Sequence, residues 1–138
     1  MSSIPNQIDN DEIDEIEIAG TLEPEEAVLL AAEAAEEKKA ENPVILDLRE
    51  LASFTEFFLI ANGANPKQVQ AISYSIEDTL RKAGKRPMHI EGYTAAEWIL
   101  LDYGDFIVHV FNSTARRFYD LERLWRDAKH LEIPGQSQ

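Results

Sequence analysis

The chain has 138 residues, 44% of them hydrophobic, no cysteine and a net charge of −13. That size and apolar content suit one globular domain, and the lack of cysteine excludes disulfides, thiolate metal sites and a cysteine nucleophile. The charge is uneven: residues 1–43 carry 13 acidic side chains against Lys38 and Lys39, whereas residues 44–138 carry 13 acidic and 11 basic ones. An acidic N-terminal part repels nucleic acid, while a nearly balanced remainder neither seeks nor avoids it.

The start, Met1-Ser2-Ser3-Ile4-Pro5, lacks the basic and apolar regions of a signal peptide. No apolar run approaches the roughly 20 residues that span a bilayer. The expectation is a cytoplasmic protein with no membrane partner. Residues 1–23 are rich in Asp and Glu with scattered isoleucines, too little apolar surface to offset ordering entropy, so they read as an acidic disordered tail. The plain role for such a tail is solubility; the sharper one is mimicry of RNA phosphate. The folded domain is then placed at 24–133, with 134–138 a flexible C-terminus.

Pro24 suits the first turn of a helix, and Glu23, Glu25 and Glu26 suit its positive end. Ala27, Leu30, Ala31, Ala34 and Ala35 follow at helical spacing. That helix is expected to stop before Pro43. Val44–Leu48 reads as a strand, and Phe57–Ala61, apolar on both faces, as a central buried one. Asn65 is placed as a helix cap with Pro66 behind it, and Val69, Ile72, Ile76 and Leu80 form one stripe that Gly84 ends.

Met88–Glu91 reads as a short strand. Trp98–Asp102 and Phe106–Phe111 pair as a hairpin through Tyr103-Gly104-Asp105, with Gly104 at positive φ. Ser113 or Thr114 caps a last helix whose stripe is Phe118, Leu121, Leu124, Trp125 and Ala128, ended by Ile133-Pro134-Gly135. The expected fold is α/β (α+β): a single domain with a mixed sheet of about five strands and flanking helices.

Catalytic constellations are scarce. Metal-dependent phosphoryl transfer needs converging carboxylates. Asp9 and Asp11 lie in the tail, and Asp120 and Glu122 have strand spacing on a helix. Asp102 and Asp105 flank the hairpin and read as turn formers rather than a metal pair. His89, His109 and His130 form no zinc pattern, and His109, inside an apolar strand, reads as structural. Arg116, Arg117, Arg123 and Arg126 suit at most a peripheral RNA contact, and read first as a solvated helix face. No cofactor or metal is implied. The alternatives held beside a protein-docking role are a metal-dependent nucleotidyltransferase using Asp102 and Asp105, and an RNA-binding module using these arginines.

Longer motifs add to this. Glu91-Gly92, then Trp98, then Asp102-Tyr103-Gly104-Asp105, then Val108-His109-Val110-Phe111 resembles the signature of the ribosomal silencing factor (RsfS, Iojap-like) family. Arg116-Arg117-Phe118-Tyr119-Asp120-Leu121-Glu122-Arg123-Leu124-Trp125 resembles that family's closing helix. Leu51–Gly63 and Gln68–Ile72 resemble its first half. Glu56-Phe57 and Ala64-Asn65-Pro66 depart from its usual pattern. The resemblance covers about residues 26–130.

It implies a nucleotidyltransferase-like fold without the transferase carboxylates, and a non-enzymatic factor. It also implies docking on ribosomal protein number fourteen of the large ribosomal subunit, so that the small subunit cannot join. Trp98 and Tyr103 fall on the family's contact positions, with Glu91, Asp102 and Asp105 as acidic complements to a basic partner. Periodicity alone would put Trp98 in the core; the resemblance brings it to the surface. Trp125 stays in the core. A homodimer of the free protein is a further expectation.

Overall fold

Helix α1 (Pro24–Glu37) begins as its residues demand: Pro24 takes the first turn, and the Glu26 carboxylate accepts the Glu23 N–H at 2.9 Å. The computed structural model describes residues 22–136, so nearly all of the acidic N-terminal segment lies outside the described residues. The alanines of α1 let it lie close on its neighbours: Ala27, Ala31, Ala34 and Ala35 are buried, joined by Val28 and Ala32, while Leu30 is only partly covered.

Strand β1 (Glu41–Asp47) starts earlier than expected and contains Pro43. Proline fits because the pairing slips between Glu41 and Val44, with Asn42 at φ 49°, so Pro43 owes no ladder bond. Strand β2 (Phe57–Gly63) is buried at every position. Helix α2 (Pro66–Lys82) is capped by Asn65, whose side chain accepts the Gln68 N–H at 2.9 Å, and it buries Val69, Ile72, Ile76 and Leu80. Each of those side chains contributes about 1.5–3 kcal/mol by leaving water. Gly84 follows at φ 89°, as a helix stop requires.

Strands β3 (His89–Glu91), β4 (Trp98–Asp102) and β5 (Phe106–Asn112) complete one side of the sheet. The sheet order is β3-β4-β5-β2-β1-β6. Only β2 and β5 are parallel; the other pairs are antiparallel. The fold is a mixed α+β single domain. Helices α1 and α2 cover one sheet face, where Ile45, Phe57, Leu59, Ile99, Leu101, Val108 and Val110 meet them.

The C-terminal part departs from expectation. The apolar stripe from Phe118 to Ala128 is not one helix. Asn112, not Ser113 or Thr114, caps α3 (Ser113–Tyr119), accepting the Ala115 N–H at 2.7 Å. Asp120, at φ 51°, ends α3 in the left-handed region, and the single turn α4 (Leu121–Leu124) follows. Phe118 and Leu124 are 78% and 72% exposed, while Leu121, Trp125 and Ala128 pack on the second sheet face. Lys129–Leu131 then forms β6, pairing with Ile45–Asp47. This sixth strand covers the edge of β1 and pairs backbone groups that would otherwise form an open edge.

Candidate docking face

Side-chain alternation decides which residues share the second face. His89, Asp102, Ile107, Phe58 and Leu46 stand opposite one another across five strands. Glu91, Leu100, His109, Ile60 and Val44 form the next row. Trp98 faces Phe111 one row further. Helix α3 lies over β5 and β2 on this side and reaches Trp98 at the start of β4, so β3 and the rest of β4 are left open. Leu100, Asp102 and Ile107 are half-buried there, and His89 and Glu91 are exposed.

An aromatic chain crosses the face. Phe54 packs on Phe58 with centroids 6.2 Å apart, and Phe58 meets the His109 ring edge-on at 4.5 Å. Trp98 lies 4.9 Å from Phe111 and 4.6 Å from Tyr119, which brings α3 against β4. The Trp98 indole donates to Nδ1 of His109 at 3.0 Å. His109 is 4% exposed, and burial pushes its pKa down to about 3. It is therefore the neutral ring, with its proton on Nε2. That Nε2 is buried with no partner among the described residues, a state that costs about 1–3 kcal/mol.

Gly92 explains the Glu-Gly step before this tryptophan. It sits at φ 81°, and a Cβ there would lie 2.1 Å from the Trp98 carbonyl oxygen. Only glycine permits that approach and that conformation. Glu91 and Trp98 are thereby held on one face by a turn that no larger residue makes.

The five sequence-predicted contact residues do not all meet. Glu91, Trp98 and Asp102 share the open face, and Asp105 is exposed at the hairpin tip. Tyr103 lies on the other side of the sheet. It is 8% exposed, packs into the helix-side core and stacks on Phe106 at 4.9 Å. Its hydroxyl has no partner among the described residues, and burial pushes its pKa upward. A turn residue beside the apolar Phe106 gains more by folding inward than by facing water.

Asp102 accepts the Gly104 N–H at 2.8 Å, with Gly104 at φ 86°, which is turn chemistry. Among the described residues no three His, Asp or Glu side chains converge on a metal position, and no helix is long and apolar enough to cross a membrane. The basic row also divides. Arg116 is committed inward to Glu122, Asn62 and Asn42, while Arg117, Arg123 and Arg126 remain outside. Trp125 is half-buried, between Phe54 and Phe58. Leu100 and Ile107 were missed as face residues; the two-residue spacing from Trp98 marks Leu100, whereas Ile107 needs the cross-strand register.

A family model described as "Ribosomal silencing factor during starvation" matches residues 21–138. The chain belongs to the ribosomal silencing factor family. It is 40% identical over 111 residues to ribosomal silencing factor RsfS of Halalkalibacterium halodurans, covering 80% of this chain and 95% of that one. It is 41% identical over 104 residues to RsfS of Bacillus subtilis, covering 75% and 88%. It is 36% identical over 108 residues to chloroplastic protein Iojap of Zea mays, covering 78% of this chain and 46% of that longer one. A crystal structure from Chromobacterium violaceum superposes with a TM-score of 0.74 at 33% identity, over 83% of this chain and 94% of that one. The ribosomal silencing factor signature thus coincides with the strands, turn and glycine that build the open face.

Proposed function

We propose that this protein docks on the large ribosomal subunit through the open sheet face and sterically blocks association with the small subunit, repressing translation. The observation that carries this is a fixed, half-buried tryptophan, Trp98, at the margin of an open sheet face that also presents Leu100, Glu91 and Asp102. Aromatic side chains bury large area at low entropy cost and act as hot spots. The carboxylates, with Asp105 at the hairpin tip, suit a basic partner, and ribosomal protein number fourteen of the large subunit is the partner proposed. The factor acts by occupancy, in the cytoplasm, without catalysing a reaction, and residues 24–133 carry this action. The same face supports pairing of the free protein, because an open apolar patch self-associates when no partner covers it.

Sedimentation of the purified protein with large subunits, small subunits and joined ribosomes tests the proposal. The expected result is co-migration with large subunits alone and loss of joining when small subunits are added, both abolished by Trp98→Ala. Absence of co-migration at low salt would overturn it.

A further inference from the structure

Among the described residues, His109 makes one side-chain hydrogen bond, the one it accepts from the Trp98 indole. Its other nitrogen is a buried donor with no partner among the described residues. A phenylalanine would fill the same space beside Phe58 and Phe111 without burying an unsatisfied group. What the histidine adds, and an apolar side chain cannot, is an acceptor under the indole.

That acceptor has a consequence for the exposed side of Trp98. An indole on an open sheet face would by itself turn its N–H toward water. Here the N–H points inward to His109, and Phe111 and Tyr119 both pack on the ring, 4.9 and 4.6 Å away. The one polar atom of the indole is thus committed to His109, and the rest of the ring is carbon.

We infer that His109 is a positioning residue for the docking face: by accepting the Trp98 N–H it fixes the indole so that the partner meets an apolar ring edge rather than a hydrogen-bond donor. Given the docking proposed for this face, the partner's group opposite Trp98 is an aliphatic or aromatic side chain, not a carbonyl or carboxylate. Contact at Trp98 is then insensitive to salt, while the acidic rim supplies the salt-sensitive part.

The test combines a spectrum of the free protein with binding to large subunits. The Trp98 indole N–H resonance is identified by its loss in Trp98→Phe. In His109→Phe that resonance is expected to shift and its exchange with solvent to quicken. Affinity for large subunits should fall about two- to tenfold, the effect of a side chain that binding must now order. In a Trp98→Phe background the same change should cost nothing further. His109→Asn, which keeps an acceptor near Nδ1, should restore part of the binding.

An unchanged indole resonance in folded His109→Phe, unchanged affinity, or an equal loss in the Trp98→Phe background would each overturn the inference while the docking stands. Failure of the wild-type protein to bind large subunits would instead overturn the docking, and this role with it. Should His109→Phe not fold, His109→Asn decides: a retained indole bond with retained binding supports the role, and a retained bond with lost binding overturns it.

Discussion

The guanidinium of Arg116 grips the carboxylate of Glu122 with two bonds, of 3.1 and 3.0 Å, across the left-handed Asp120 that separates α3 from α4. The same guanidinium reaches Asn62 Oδ1 and the Asn42 carbonyl, each at 2.8 Å, and its side chain is 11% exposed. One arginine thus ties the helix break to the bulge of β1 and to β2. Arg116→Ala is expected to destabilise the fold by about 2–3 kcal/mol, since it strands buried acceptors and frees the break. The midpoint of urea unfolding measures this. Arg116→Lys should recover only a small part, because an ammonium cannot form the two-pronged contact.

Tyr103 tests where the docking face ends. Its ring belongs to the helix-side core and its buried hydroxyl has no partner among the described residues. Tyr103→Phe should leave large-subunit binding unchanged and stability equal or slightly higher. Tyr103→Ala should cost about 3–5 kcal/mol by opening a cavity. A loss of binding in a fully folded Tyr103→Phe protein would return this residue to the contact surface.

Acid should weaken the fold in two separable steps. His109 has a folded pKa of about 3, below the ordinary histidine value of about 6.5. Between these values the unfolded chain takes up a proton that the folded one does not. Stability is therefore complete above about pH 6.5 and declines toward pH 3, by up to about 1.4 kcal/mol per pH unit. His109→Phe should flatten that window. Asp47, held below the ordinary carboxylate value chiefly by its hydrogen bond from Arg49, contributes stability present above that value and lost as pH falls below it. Arg49→Met should remove only that lower step. Thermal unfolding from about pH 2 to pH 8 in the two variants distinguishes them.

Asp102 and Asp105 carry charge in different structural settings. Asp102→Asn keeps an acceptor for the Gly104 N–H, so it should fold normally while binding large subunits more weakly at low salt. Asp102→Ala should also lose about 1 kcal/mol of stability with the turn bond. Asp105, exposed at the tip, is expected to act on association rate, so that Asp105→Asn slows binding at low salt and makes little difference at high salt. Equal effects at all salt concentrations would argue against electrostatic steering.

Much of this protein is determined locally. Proline at the first helical turn, Asn65 before Pro66, the all-apolar Phe57–Ala61 run and the Asp-Tyr-Gly-Asp turn each act through neighbours a few residues away, so the string itself shows α1, α2, β2 and the β4–β5 hairpin. The family signature is legible for the same reason. Tertiary structure decided what depends on partners far along the chain. Arg116 reaching Asn42 and Asn62 holds the break that an apolar stripe alone would have read through as helix, and the free edge of β1 draws Lys129–Leu131 into a sixth strand. Alternation along each strand gives the side a residue faces, but only the pairing register of β4 with β5 brings His109 diagonally beside Trp98, because that contact depends on which residues stand across from each other.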